Sequence, residues 1–411
     1  MLIKPLHRLW RLLPPSSRRY FLARLGAYLA PSITFNPPTA STVIIAGEVS
    51  RASGLGEGAR VMHQALQKNN ISSRLLDVIP YSFSWDRYTK ATQILSEYPH
   101  APLILHINSP QIPYALLALP RNLVKNRRVI GYWAWELEIL PKDWMVGFQF
   151  VHEIWVPSQF VANAVQKWAK YYNKPVRVIP HPIADRVVYP VSHICRKSLG
   201  LPKGKLIILV SFNLSSSFAR KNPLGAILAF LKANKHDRGI CLVLKISYSE
   251  HYCIDMDKIM NVIQGHDAII VNRNILSSAE NQALFHYADI VLSLHRSEGF
   301  GLVAAEAMLS GKPVISTNWS ATSEFIDESC GIPVPYKLVP VKDSREVYQF
   351  SNAYWAEPDC DIAAQAIHKL VADSDYRFAL GSAACKRAYK QFNSQSLIKG
   401  LSAIGVVTDM E

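Results

Sequence analysis

The residues of this chain best placed to do chemistry are two carboxylates. Glu298 and Glu306 stand eight residues apart in Ser297-Glu298-Gly299-Phe300-Gly301-Leu302-Val303-Ala304-Ala305-Glu306. Apolar runs flank them, Ile290 to Leu294 before and Pro313 to Thr317 after. That pattern predicts a buried strand, a glycine turn opening a helix, and a second buried strand, together one βαβ unit. Glu298 then falls in the loop at the strand's carboxyl end, and Glu306 one to two turns into the helix. Between them the free N–H groups of the helix start carry partial positive charge suited to phosphate. An acid on either side of an anion cradle fits a sugar nucleotide, with hydroxyls at both ends and a diphosphate between. The competing reading is a solvated loop acid and a glutamate that only favours the helix macrodipole.

Four further groups have chemistry to offer. Arg220-Lys221-Asn222-Pro223 follows an apolar strand and the Ser215-Ser216-Ser217 loop. Pro223 marks a helix start there, and two adjacent cations at a helix start fit a diphosphate. They would neutralise the charge that grows on a leaving nucleoside diphosphate. Gly54, Gly56 and Gly58 lie in Ser53-Gly54-Leu55-Gly56-Glu57-Gly58-Ala59, where glycine lets backbone N–H groups approach phosphate. This loop also spells G-x-G-x-x-A with Asp77 about twenty residues on, so a dinucleotide site competes. Against it, Gly47 to Ser53 separate the glycines from the strand. Trp133, Trp135 and Glu136 end another strand and suit a sugar acceptor, with core packing of both tryptophans as the alternative. His106 ends a strand expected to face a cleft, His181 lies between Pro180 and Pro182, and His295-Arg296 just precede Glu298, where they would line the donor sugar site. No histidine has metal-ligand spacing, and no Asp-x-Asp motif is present.

These groups need elements to hold them. Thr42 to Ala46, Arg74 to Ile79, Leu103 to Ile107, Arg128 to Trp133, Glu153 to Val156 and Val176 to Ile179 read as strands. Helices are expected at Glu57 to Asn69, Trp85 to Tyr98 and Ser158 to Tyr172. After the proline-rich stretch from Pro180 to Gly204 a second series begins. Its strands are Leu206 to Phe212, Cys241 to Ile246, Ala268 to Val271, Ile290 to Leu294 and Val314 to Thr317. Each series has the alternation of a doubly wound parallel sheet. The boundaries predicted are a basic arm over 1–40, a first domain over 41–190, a second over 191–385, and a C-terminal helix over 386–411 returning to the first.

The run from Glu298 to Glu306, with Gly311-Lys312-Pro313-Val314 behind it, resembles the E-x7-E signature of retaining glycosyltransferases of the GT-B fold, family 4. The resemblance implies an α/β chain of two Rossmann-like domains facing a cleft. It implies that Glu298 faces the transferred sugar and that the backbone of Phe300, Gly301, Leu302 and Val303 holds sugar hydroxyls and phosphate. Glu306 would take the ribose hydroxyls, and His295 would line the sugar site. Lys221 inherits the family's phosphate-binding lysine and Arg220 substitutes by proximity, since Phe212-Asn213 stands where the family has an arginine. Ala134 replaces a common histidine, and His181 stands in the linker where the family often reads Asn-Gly, which implies hinge or cleft lining. The Gly54 and Gly56 loop resembles the family's glycine-rich loop bordering acceptor and diphosphate. Transfer would need no metal and no cofactor beyond the nucleotide sugar. Removing Glu298 or Lys221 is expected to cost rate far more than stability.

The 411 residues suit two α/β domains, and 49% apolar with 18% charged residues is ordinary for a folded protein, so disorder is not the default. The formal charge is +14, and Lys4, Arg8, Arg11, Arg18, Arg19 and Arg24 precede the first acid, Glu48. Trp10, Phe21, Leu25 and Tyr28 are interleaved with these bases, as in an interfacial helix on an anionic membrane; a structural arm is the other reading. No apolar stretch is long enough to span a bilayer, and no nucleic-acid motif accompanies the charge. The six cysteines are scattered without ligand-like pairs, as in a cytoplasmic protein. The expectation is thus a hexosyltransferase of surface glycan synthesis, acting on a glycan or lipid-linked acceptor, cytoplasmic or peripheral on the inner membrane face. A nucleotide-sugar epimerase or phosphorylase of the same fold, or a non-catalytic membrane-associated scaffold, is the alternative.

Overall fold

The computed structural model describes residues 14–234 and 239–406. Lys4, Arg8, Arg11, Trp10 and the rest of 1–13 lie outside them. Two compact units divide the chain: Met1–Arg186 with Ser394–Glu411, and Val187–Asn393. The boundaries expected at 190 and 385 therefore fall at 186 and 393. The later crossing has a packing cause. Helix Ser374–Gln391 stays with the second unit, where Gly381 lies against the Gly311 carbonyl and Cys385 Sγ approaches the Leu309 carbonyl at 3.4 Å.

In the first unit β1 (Val43–Gly47), β2 (Ser73–Asp77), β3 (Leu103–His106), β4 (Val129–Tyr132), β5 (Glu153–Val156) and β6 (Val176–Val178) pair in parallel in the order β2-β1-β3-β4-β5-β6. Their near-continuous apolar sequence follows from helices covering both faces. Val43, Ile45, Ile104, Ile130 and Trp155 form one core layer with Ala59, Met62, Ala65 and Leu66 of helix Gly54–Lys68. Leu397 and Leu401 of helix Gln395–Ala403 close the same layer. Gly400 packs there against Ile179 and Trp155, where a Cβ would lie 2.9 Å from Ile179 Cδ1 and make that side chain shift.

Helix Pro15–Leu29 docks on this unit by small residues. Ala23 and Gly26 are buried, the Tyr114 ring fills the space a Gly26 side chain would need, and Tyr114 Oη donates to the Leu22 carbonyl. Arg121 donates to the Leu29 carbonyl at 2.8 Å. Its other face leaves Phe21, Leu25, Tyr28 and Leu29 exposed, Tyr28 at 87%. Among the described residues no helix is long and apolar enough to cross a membrane.

In the second unit β7 (Leu206–Asn213), β8 (Ile240–Ser247), β9 (Ile269–Asn272), β10 (Ile290–Ser293), β11 (Val314–Thr317) and β12 (Ile332–Val334) form a parallel sheet ordered β12-β11-β10-β7-β8-β9. Strand β12 carries Pro333 and accordingly sits at an edge. An antiparallel hairpin of β13 (Tyr336–Pro340) and β14 (Tyr354–Pro358) stands apart from it. The strand order reverses between β7 and β10, so the carboxyl ends of these two strands open onto a topological switch point, where open α/β sheets bind ligands.

Candidate active site

Both sequence motifs of the second unit converge on that switch point. After β7, Ser217 caps a short helix, Phe218–Lys221, by accepting the Arg220 N–H at 3.2 Å. Asn222 then adopts a left-handed backbone (φ 50°), caps helix Pro223–Ala233 through its Oδ1, and donates from Nδ2 to the Leu294 carbonyl at 2.9 Å. That one side chain ties the β7 loop to the end of β10. Arg220 and Lys221 are thereby brought to Glu298, 77 residues beyond Lys221.

Glu298 is held by two cations. Lys221 Nζ lies 2.5 Å from Oε1 and Arg220 Nη1 lies 3.1 Å from Oε2. Arg220 Nη1 also donates to the Ser297 carbonyl at 2.8 Å. Burial alone would push the Glu298 carboxyl up, but Lys221 and Arg220 outweigh it and hold it at about 2. His295, buried and pushed down to about 4, is neutral at pH 7. Glu298 is therefore an anion throughout the physiological range. It can accept hydrogen bonds from hydroxyls or stabilise positive charge, and it has no proton to give as a general acid. Its backbone is fixed too, with its N–H donated to Ser320 Oγ at 2.8 Å and its carbonyl accepting the Ala321 N–H.

Gly301, with φ 96°, precedes helix Leu302–Leu309, and no side chain caps that helix start. A Cβ at Gly301 would also lie 2.5 Å from Thr322 Cγ2, so glycine is required here by conformation and by space. Thr322 in turn faces His295 Nε2 at 2.8 Å. The Phe300 ring turns inward against Phe325 and Phe392, which leaves its backbone rather than its side chain for any ligand. Leu302, Val303 and Glu306 are half-buried on the first turns of the helix. His295 Nδ1 and Ser297 Oγ are buried without a hydrogen-bonding protein partner. Such atoms in a native fold ask for an explanation, and they concentrate where function strains a site.

Two positions that had no sequence signal, Asn222 and Ser320, complete this arrangement, and Arg296, expected with His295 to line the donor sugar site, reaches back to the β7 loop. Arg296 donates its backbone N–H to the Arg220 carbonyl at 2.7 Å and Nη1 to the Ala219 carbonyl at 2.6 Å. Asn213, which stands where the resemblance has an arginine, turns back on its own loop and accepts the Ser215 N–H.

The first unit corrects several expectations. His106 is buried rather than presented on a surface: its ring stacks on Tyr132 with centroids 4.3 Å apart, and Nε2 faces Met62 Sδ. His181 is buried too, 3.3 Å from Tyr132 Oη. Burial pushes both imidazoles down, His181 to about 3, so both are neutral. Trp133 and Trp135 are core residues packed on Trp144, and only Glu136 of that trio is half-buried. The glycine loop folds on itself. Ser53 caps helix Gly54–Lys68 by accepting the Gly56 N–H, Gly56 abuts the Glu48 carbonyl, and Gly58 abuts the His181 ring; only Gly54 is exposed. Asp77, the acid a dinucleotide site would need, instead accepts the N–H and Oγ–H of Ser50.

Comparison with known proteins bears on the second unit most directly. Residues 255–373, which include Glu298 and Glu306, match the family of glycosyl transferases group 1. The match lies wholly within the second unit. A curated D-inositol 3-phosphate glycosyltransferase of an Arthrobacter species is 28% identical over 133 residues, 32% of this chain and 31% of that relative. The match thus spans about a third of the relative's length. A glycosyltransferase from Rickettsia africae superposes with a TM-score of 0.60 at 15% identity, covering 92% of this chain and all of the other. HepE of Anabaena, solved with UDP and glucose, gives 0.58 at 14% identity, covering 88% of this chain and all of its own. The two parallel six-stranded sheets are those of the GT-B fold. Arg220 and Lys221 precede the matched segment of the glycosyltransferase domain, so their place beside Glu298 rests on the geometry alone.

Proposed function

We propose that this protein is a retaining GT-B glycosyltransferase of family 4 that moves a hexose from a nucleoside diphosphate sugar to an acceptor hydroxyl. The observation that carries the proposal is the Lys221–Glu298–Arg220 cluster at the switch between β7 and β10, beside a helix start that no side chain caps. In this reading the N–H groups of Leu302 and Val303, with Lys221, take the diphosphate. Glu298 accepts hydroxyl hydrogens of the sugar, and Glu306 takes the ribose.

The mechanism follows from the fixed charges. As the glycosidic bond breaks, negative charge moves onto the leaving diphosphate, and Lys221 stabilises that charge more than the ground state. Glu298, permanently ionised, is suited to the positive charge that develops on the sugar carbon. It is not suited to protonating a leaving group. The acceptor proton can then pass to a departing phosphate oxygen on the same face, which retains the anomeric configuration. The positive charge comes from side chains, so no metal is assigned a role.

Anabaena HepE was solved with UDP and glucose, and WaaG is a glycosyltransferase involved in lipopolysaccharide biosynthesis. On that likeness we assign the protein to surface glycan synthesis at the cytoplasmic face of a membrane. The exposed Phe21, Leu25, Tyr28 and Leu29 of helix Pro15–Leu29, in a segment rich in bases and free of acids up to Gly47, support a surface bound to anionic lipid.

The test is a screen of UDP-, GDP- and ADP-sugars for release of the nucleoside diphosphate with and without lipid-linked glycan acceptors, in the presence of chelator, with the product anomer read by NMR. Acceptor-stimulated release with the donor's configuration kept is expected. Inverted product, or epimerised donor without release, refutes the proposal.

A further inference from the structure

The hairpin of β13 and β14 belongs to neither parallel sheet, and the reaction proposed above gives it no task. Its connecting loop is internally fixed. Buried Asp343 accepts the N–H groups of Val347 and Tyr348 at 2.9 and 3.1 Å, and its own N–H goes to Gln349 Oε1 at 2.9 Å. A carboxylate that gathers backbone donors in this way makes the loop a rigid body.

That rigid body grips the segment carrying the two cations at three points. Arg345 lies over the Tyr252 ring at 4.0 Å, pairs with Asp255, and donates to the Leu214 carbonyl just after β7. Tyr348, buried, sits beneath the Arg220 guanidinium with 5.7 Å from Cζ to the ring centroid. On the strand side Glu357 pairs with Arg296 Nε at 2.6 Å, and Arg296 binds the carbonyls of Ala219 and Arg220. The Ala356 N–H of β14 returns to the Arg296 carbonyl at 2.9 Å.

Two adjacent cations repel each other, and burying one of them costs desolvation that a single carboxylate only partly offsets. An aromatic face under a buried guanidinium contributes further, and carbonyls drawn toward a second arginine fix the backbone between. We propose that Tyr348, Arg345 and the Glu357–Arg296 pair are positioning residues: the hairpin sets Arg220 and Lys221 in the geometry that receives the second phosphate of the donor. They act through the cations and touch no reacting atom. Preorganisation of this kind shows as affinity for the diphosphate over the monophosphate.

The inference rests on the nucleotide-sugar reading, and the experiment separates the two. Wild-type full-length protein is titrated calorimetrically with UDP, GDP and ADP; a protein that binds none of them overturns the parent reading and this one together. With the nucleotide that binds, Tyr348→Ala and Glu357→Gln are expected to lose five- to twentyfold in affinity for the diphosphate and less than twofold for the matching monophosphate. Tyr348→Phe, which keeps the ring under Arg220, is expected to stay within twofold of wild type for both. Equal losses for diphosphate and monophosphate, or unchanged diphosphate affinity, overturn the positioning role. Should Tyr348→Ala not fold, Glu357→Gln decides the matter, because the Glu357 side chain is 40% exposed and its loss leaves the core intact.

Discussion

Glu298→Gln keeps the size and shape of a buried carboxylate and removes only its charge. The structure sets the consequence. A carboxyl that Lys221 and Arg220 hold at about 2 against the upward push of burial, rather than at an ordinary 4.5, has a net preference for its charged form of about 3 kcal/mol in the folded state. The variant also removes the Glu298 carboxylate from beside Arg220, whose side chain is 3% exposed. For a unit of this size each kcal/mol moves the melting temperature by about 2–4 °C, so a drop of roughly 6–12 °C is expected at pH 7. The pH dependence has a definite sign. Between pH 8 and 5 Glu298 is ionised in folded and unfolded wild type alike, so the difference from the variant stays constant. Below about 4.5 the unfolded carboxyl takes a proton while the folded one does not, and wild type loses its advantage as pH falls toward 2. Differential scanning calorimetry of both proteins from pH 8 to 3.5, with Lys221→Met and the double variant completing a cycle, measures this. Strict additivity of Lys221→Met and Glu298→Gln would refute the reasoning, as would a difference that fades between pH 7 and 5. Loss of Glu298 is thus expected to cost stability as well as rate.

Other outcomes follow from steric and surface features. Gly301→Ala forces a side chain into a left-handed position and against Thr322 Cγ2; about 1–3 kcal/mol of stability is expected to go, with a part restored by Thr322→Ser, as thermal melts of the single and double variants will show. Gly58→Ala would place its Cβ 2.2 Å from His181 Cε1, an overpacking worth about 1–3 kcal/mol. Adding His181→Ala is expected to relieve it, and no relief in denaturant unfolding would remove the steric explanation. Phe21→Glu with Leu25→Glu is expected to reduce sedimentation with phosphatidylserine vesicles severalfold while leaving binding to neutral vesicles and the melting temperature unchanged.

Much of this architecture is legible in the chain. Strands buried on both faces leave unbroken apolar runs such as Leu206 to Phe212 and Ile290 to Leu294, and these runs are β7 and β10 within a residue. The same burial hides side-chain direction. Where both faces of a sheet are covered there is no period-two contrast, so nothing in the spelling of Leu103 to His106 or Val129 to Trp133 says that His106 and Trp133 point inward. Glu298 and Lys221 stand out by spacing and charge. Their mutual pairing does not, because 77 residues separate them and only the fold brings them together. Asn222 and Ser320 are ordinary polar residues in loops until their distant carbonyl and N–H partners are seen. Pro333 hid β12, since proline argues against a central strand and is tolerated at an edge.

The return of helix Gln395–Ala403 to the first unit bears on the order in which the protein is made. Leu397, Leu401, Ile404 and Val406 belong to the core layer of Ile45 and Trp155, yet they are synthesised after the whole second unit. At ribosomal rates of about 5–20 residues per second, β6 waits roughly 10–45 s for the residues that seal it. The unit that begins first is finished last, and until then its apolar seam is exposed to solvent, to chaperones and to neighbouring nascent chains. The second unit, contiguous in sequence, is free of that delay and can fold while the first is still incomplete.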